Sequence, residues 1–172
     1  KLDSLDVATP TPIAYMDVRS GGLINSSYLV TEYTDWEPMN KLPLMEKFEQ
    51  VMLNDAFVKF TVELHKKGIQ HNDYNTSNVL FHRHDDFSYR FMLIDINRMH
   101  FGHMSKTACL SNLKRFCEDS DAVYRISQKY AEERGWSKYG TLATLAAQRG
   151  VFERRRQNKV YLKELIKGHA GA

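Results

Sequence analysis

Three oxygen-bearing side chains stand at a spacing suited to handling phosphate and a hard metal ion. The run His71-Asn72-Asp73-Tyr74-Asn75-Thr76-Ser77-Asn78 puts a carboxylate and an amide five residues apart, and a second carboxylate, Asp95, follows the apolar stretch Phe91-Met92-Leu93-Ile94. Phosphoryl transfer from ATP asks little covalent chemistry of a protein: a carboxylate to orient the attacking hydroxyl, Mg2+ bridging the phosphates, and a positioned nucleotide. Mg2+ takes oxygen ligands, usually one or two from protein, completed by phosphate and water. Asp73 is therefore the candidate base, with Asn78 and Asp95 the candidate Mg2+ ligands. Each has a plainer reading. Asp73 would serve as a cap, Asn78 as a turn residue, and His71 as a buried brace for the loop rather than a proton carrier. Asp95 resists this, because a carboxylate closing a buried apolar strand is expected to have a partner.

The elements that must position these residues are legible from periodicity. Phe57, Phe60, Thr61 and Leu64 recur at helical spacing, Lys66 and Lys67 suit the negative end of the helix dipole, and Gly68 stops the helix. The His71 run thus lies on a loop leaving that helix. A separate helical stretch from about Leu44 to Asn54 precedes it, behind a loop bracketed by Pro38 and Pro43. Val79–His82 and Tyr89–Ile94 read as a hairpin around His84-Asp85-Asp86, ending on Asp95. Near the start, Ile13–Asp17 and Ser27–Thr31 read as two strands joined through Gly21-Gly22 and Asn25-Ser26. Beyond Lys106 the pattern is helical throughout. Leu110, Leu113 and Phe116 mark one helix, Val123, Ile126 and Tyr130 a second, Leu142, Leu145 and Ala146 a third, and Val160, Leu162, Leu165 and Ile166 close the chain.

Composition bounds the class. With 172 residues, 42% hydrophobic and 26% charged, the chain suits one globular domain or one lobe of a larger protein. No apolar run reaches bilayer-spanning length, and the first residues do not form a secretory signal. Cys109 and Cys117 lack metal-ligand spacing and read as reduced thiols of a cytoplasmic protein. The net charge of +3 hides an asymmetry: from Arg149 onward there are seven Lys/Arg against two Asp/Glu, and before it seventeen against nineteen. This basic segment would meet an anionic partner, or form a solvated helix face. Nucleic acid is not expected, since Arg154-Arg155-Arg156 comes without an aromatic stacking platform.

The ordered set of His-x-Asp-x-x-x-x-Asn, a hairpin and then Asp resembles the protein-kinase-like fold. The resemblance implies an α+β chain, mostly the helical C-terminal lobe (residues 34–172), with a β-hairpin and hinge (residues 1–33) remaining from an incomplete N-terminal lobe. Ser27 to Tyr33 then corresponds to the fifth strand and hinge, with Thr31 as gatekeeper, Glu32 and Tyr33 opening the linker, and the backbone of Glu32 and Thr34 meeting adenine. Asn75 takes the place of the Lys that contacts the transferred phosphate, Asn72 that of the loop Arg, and Asp95-Ile96-Asn97 that of Asp-Phe-Gly. No proline follows Pro43, so the Ala-Pro-Glu platform for peptide substrates is missing.

Asp-Tyr-Asn in the loop, the Leu-Ile-Asp-Ile-Asn-Arg segment and the helical C-terminal body resemble the bacterial lipopolysaccharide kinases over about residues 10 to 120. Those enzymes phosphorylate heptose or 3-deoxy-manno-octulosonic acid (Kdo) of the inner core. The resemblance implies ATP and Mg2+ as cofactors, a sugar or glycolipid acceptor, and a cytoplasmic protein meeting the anionic inner face of the bacterial inner membrane peripherally. A soluble small-molecule kinase of the aminoglycoside phosphotransferase type shares the same skeleton. An inactive pseudokinase binding module is the third reading, kept open by Asn75 and Asn97. The kinase fold also uses a Gly-rich strand pair, a strand Lys and a helix Glu. None precedes Ile13, and Gly21-Gly22 has no Lys at phosphate-binding spacing. The expectation is that part of the N-terminal lobe is missing, that these residues alone turn over little ATP, and that the Ile13–Val30 hairpin exposes apolar surface.

Overall fold

Short β-ladders alternate with helices along the chain, and the ladders frame both loops singled out above. The computed structural model describes residues 1–169, with side chains through residue 166. Strands β1 (Pro12–Ser20) and β2 (Leu23–Thr31) pair antiparallel. Gly21 and Gly22 turn the hairpin at φ 60° and 81°, values that glycine reaches without steric penalty. Its apolar side chains stand exposed on both faces, from Val18 at 43% to Leu23 at 76%, as the sequence leads one to expect. A connector leads to β3 (Glu37–Pro38) and a 3-10 turn over Met39–Leu44.

Helix α1 (Lys47–Lys66) is one element and not two. Leu53 lies four residues before Phe57 and continues the same buried face through Val58, Thr61, Val62 and His65, so no break falls at Asn54. Pro43 ends up inside the preceding 3-10 turn, which an extended Met45 separates from α1. Three further pairs of elements follow. These are β4 (Ile69–His71) and β5 (Val79–Arg83), then β6 (Tyr89–Leu93) and β7 (Met99–Phe101), then α2 (Lys106–Leu113) and α3 (Ser120–Arg134). The last helix, α4 (Lys138–His169), runs unbroken, because Gly150 is accommodated within it and no proline interrupts it; it replaces the two helices expected there.

One sheet has the order β3-β5-β6, and β4 pairs with β7 in a separate ladder. The core is built from Leu53, Phe57 and Val62 of α1, Val79 and Leu93 of the sheet, Leu110 and Leu113 of α2, Tyr130 of α3 and Leu145 of α4. The N-terminal segment joins this body, with Leu2 and Val7 buried and the Ala8 carbonyl accepting from the Leu93 N–H at 2.9 Å. Serine and aspartate caps start α2 and α3: Ser105 accepts from the Ala108 N–H, and Asp119 from the Ala122 N–H. Cys109 and Cys117 are free and buried. Among the described residues no helix is long and apolar enough to cross a membrane.

Candidate active site

The two loops are closed by the same two ladders. His71 faces Met99 where β4 meets β7, and Val79 faces Leu93 where β5 meets β6. The Asp73 loop and the Asp95 loop therefore leave one ladder side by side and enter the other side by side. Hydrogen bonds tie them along the way: Asn72 N–H to Arg98 O at 3.2 Å and Ile94 N–H to Asn78 O at 3.1 Å. His71 adds a side-chain tie from a position only 1% exposed. Its Nδ1 lies 3.1 Å from the Asp73 N–H and must accept, so Nε2 carries the proton and donates to Ile94 O at 2.9 Å. The imidazole fixes the spacing of the two loops.

Asp73 is held by its neighbours through one end only. Asn75 Nδ2 reaches the Asp73 carbonyl at 3.0 Å and its Oδ1 at 3.2 Å, while Asn75 Oδ1 accepts from the Ser77 N–H at 2.8 Å. Arg115 forms an ion pair with the same Oδ1. Oδ2 receives no donor among the described residues, which leaves an acceptor on a half-buried, oriented carboxylate. Tyr74, the next residue, points the other way. It is buried against Phe57 and Phe116, with ring centroids 5.9 and 4.9 Å away. Thr61 Oγ1 donates to Phe57 O at 2.9 Å, so the Tyr74 hydroxyl is the donor in its 2.7 Å bond to Thr61. Burial pushes this phenol far above its ordinary range. The polar member of the α1 stripe thus anchors the loop.

Arg115 gives no signal in the sequence, because it lies 42 residues from Asp73 and belongs to no spacing pattern. It sits on the turn after α2, next to Phe116, which inserts into the aromatic cluster against Phe57 at 4.3 Å. Arg149 of α4 clamps that turn, donating to Lys114 O at 3.0 Å and Glu118 O at 3.4 Å. Thr76 in the Asp73 loop reaches Glu118 at 3.4 Å. The last helix therefore fixes the turn that carries the cation beside Asp73.

Asn78 and Asp95 suit a hard cation. Asn78 Nδ2 is spent on the Asp73 carbonyl at 2.9 Å, so its amide oxygen points away from that bond and is available. Asp95 corrects one expectation: it is exposed and has no hydrogen-bond or ion-pair partner among the described residues. A left-handed conformation, φ 54° and ψ 47°, turns it out of the sheet before the 3-10 turn of Ile96–Arg98. Two oxygen donors on adjacent loops match what Mg2+ takes from protein when phosphates fill the remaining positions.

Thr31 ends β2 and Glu32 follows, with its N–H committed to Thr11 O at 2.9 Å and its carbonyl left for another donor. Thr34 Oγ1 accepts from the Trp36 N–H at 3.3 Å, and the Tyr33 ring is 93% exposed. None of these four contacts Asp73, Asn78 or Asp95. They connect to the site through β3, which pairs with Phe81 and Leu80 just after Asn78. A wider groove of about 810 Å3, between the N-terminal turn, α1 and β6, contains none of the candidate residues.

A strand ending in a hinge, a helix feeding the Asp73 loop, a hairpin ending on Asp95 and a helical body define a protein-kinase-like fold. The model of the lipopolysaccharide kinase (Kdo/WaaP) family matches residues 1–138, and the chain belongs to that family. Among solved structures, WaaP in complex with acyl carrier protein superposes with a TM-score of 0.63, covering 91% of this chain and 71% of that one at 18% identity. The Rio2 kinase-ADP/Mg2+-phosphoaspartate complex from Chaetomium thermophilum gives 0.44, covering 91% and 51% at 17% identity. The WaaP likeness supports the fold. No curated protein matches the sequence.

Proposed function

We propose that this chain is a sugar kinase of lipopolysaccharide core assembly, transferring the γ-phosphoryl group of ATP to a hydroxyl of an inner-core sugar or a related glycolipid. Family membership supports the kinase and the substrate class. The observation that carries the reading is Asp73, with Oδ1 closed by Asn75 and Arg115 and Oδ2 open, on a frame shared with Asn78 and Asp95. Oδ2 accepts the hydrogen bond of the acceptor hydroxyl and orients its oxygen; as the new O–P bond forms, the bond from the γ-phosphorus to the bridging oxygen breaks, ADP leaves with that oxygen, and the hydroxyl proton passes to the Asp73 carboxylate. Asn78 Oδ1 and the Asp95 carboxylate would hold Mg2+, which would supply neutralisation of charge on the phosphates. The Glu32 carbonyl and the backbone of Thr34 meet adenine, with Thr31 and Tyr33 beside it. Asn75 acts through Asp73: its amide nitrogen donates to the Asp73 carbonyl and to Oδ1, which orients the carboxylate. Use of ATP puts the reaction in the cytoplasm, with the basic end of α4 toward the anionic inner face of the membrane.

Asp73→Asn tests this. With radiolabelled ATP and lipopolysaccharide core oligosaccharide, transfer is expected to fall by roughly 10²–10⁴-fold, the usual contribution of a positioned base. The melting temperature should stay within a few degrees of the parent protein. Undiminished transfer would end the proposal. An acceptor screen with aminoglycosides alongside the oligosaccharide separates it from a soluble small-molecule kinase.

A further inference from the structure

Helix α4 carries a stripe of cations that form no ion pair among the described residues. Phe152, Arg155, Lys159 and Lys163 recur at spacings of three, four and four, so they share one helical face. That face and Arg115 enclose a groove of about 710 Å3, with Arg156 at its edge and no acidic residue in its lining. Cations at i, i+4 and i+8 repel one another, by a few tenths of a kcal/mol for each adjacent pair. A helix serving only as scaffold would interleave glutamates among them. The two glutamates of this segment, Glu153 and Glu164, instead line a neighbouring groove with Gln157 and Tyr161, which meets this one at Arg156 and Val160, and Glu153 is already paired with Arg149. The field of the groove is felt by its surroundings: burial, then Arg155 and Arg115, push Lys114 below the usual lysine range.

The groove adjoins the candidate base through Arg115. Arg115 is the shared wall: one side of its guanidinium pairs with Asp73, and its centre lies 5.8 Å from the Phe152 ring. An anion bound by the stripe would therefore sit one side chain from the carboxylate that orients the attacking hydroxyl. The volume falls within the range of small-molecule sites and has room for a sugar unit with a charged substituent.

We propose that this groove is the subsite for an anionic group, phosphate or carboxylate, already present on the acceptor sugar, and that Arg155, Lys159 and Lys163 select acceptors carrying one. The proposal rests on the kinase reading for what an acceptor is, and its test does not depend on turnover. Phe152 supplies an apolar floor for the sugar ring, and the three cations supply charge-assisted hydrogen bonds to the anion. With the anion held there, a neighbouring hydroxyl reaches Asp73 Oδ2.

The experiment is calorimetric titration of the full chain with delipidated inner-core oligosaccharide at several salt concentrations. Lys159→Gln/Lys163→Gln should weaken binding about tenfold or more and flatten its salt dependence, since two charged contacts are lost. Both lysines are exposed, so the variant keeps its fold, checked by its melting curve. The charge-matched Lys47→Gln/Arg125→Gln, at exposed positions outside the groove, should change affinity by less than about twofold. Enzymatic dephosphorylation and chemical reduction of the carboxyl groups, applied separately to the oligosaccharide, identify which anion is read. The proposal is overturned if both treatments leave the affinity unchanged, or if wild type and stripe variant bind equally. It is also overturned if the two double variants weaken binding alike, if only phosphatidylglycerol vesicles bind, or if ATP displaces the oligosaccharide. Asp73→Asn keeps the two readings apart. It should cut transfer by roughly 10²–10⁴-fold, while Lys159→Gln/Lys163→Gln should weaken binding as much in its background as in the parent; if transfer persists while the stripe variant still loses binding, the kinase reading fails and the subsite stands.

Discussion

Asp73 keeps one carboxylate oxygen open because Asn75 and Arg115 converge on the other. A carboxylate held from one side cannot rotate freely, and that restriction is what a positioned base needs. Replacing Arg115 by Gln removes the ion pair while leaving the loop's backbone bonds, so the transfer rate should fall roughly 10- to 100-fold, with Arg115→Lys restoring part of it. A kcat against KM comparison for ATP checks this, the KM being expected to move little. His71 acts differently, since both its nitrogens are spent on backbone groups. His71→Ala removes two hydrogen bonds and leaves a cavity, which should destabilise the protein by about 2–4 kcal/mol in denaturant unfolding. The sequence makes Asp73, Asn78, Asp95 and His71 visible through spacing. Arg115 and Arg149 stay hidden, because their relation to the loop exists only after α2 and α4 pack beside it.

At the scale of elements, the site is a frame of two ladders, β4–β7 and β5–β6, each supplying one end of both loops. Their shortness hid β4 and β7 from the sequence: three residues show no period-two pattern, and their pairing partner lies about thirty residues away. Gly68 joins helix to ladder and does more than stop α1. Its φ is 70°, and a Cβ there would come within 2.4 Å of Gly102 O, whose own N–H donates to Gly68 O at 2.8 Å. Gly68→Ala should therefore strain the backbone and displace the start of β7, with an expected loss of about 1–3 kcal/mol. Amide hydrogen exchange should localise the loosening to residues 69–71 and 99–101. The sequence identified the glycine as a breaker; the contact with Gly102 belongs to tertiary structure.

The whole molecule carries its own acid sensitivity. His65 lies buried on α1, with Nδ1 2.7 Å from the Tyr130 hydroxyl and Nε2 without a hydrogen-bond partner among the described residues. Burial, helped by the Arg134 guanidinium, holds its pKa down to about 3 from the usual 6.5. The unfolded chain then takes up this proton before the folded protein does. The contribution of His65 to stability is full above pH 6.5 and is lost progressively as pH falls toward 3. The slope should approach about 1.4 kcal/mol per pH unit within that window, and His65→Leu should flatten it whatever its effect at neutral pH. The β1–β2 hairpin exposes Tyr15, Leu23 and Leu29 at 66%, 76% and 59%. The protein should bind a hydrophobic dye through it. Replacing residues 12–31 by a short Gly/Ser linker should abolish the dye signal and leave the melting temperature of the body within a few degrees.

The β1–β2 hairpin, the helix that feeds the Asp73 loop, the hairpin that ends on Asp95, the helical C-terminal body and the basic bias of the last segment are legible in the sequence alone. All of these are written in local periodicity, turn chemistry and spacing, which act over a few residues. Tertiary structure decided the rest. It merged two expected helices into α1 and two more into α4, turned Asp95 out of the core into a left-handed conformation, and brought Arg115 onto Asp73 across 42 residues. Those outcomes follow from long-range packing. Burial of the α1 face, the pairing of three-residue strands and the seating of α4 against the turn at Lys114–Glu118 each join segments that have no local reason to meet.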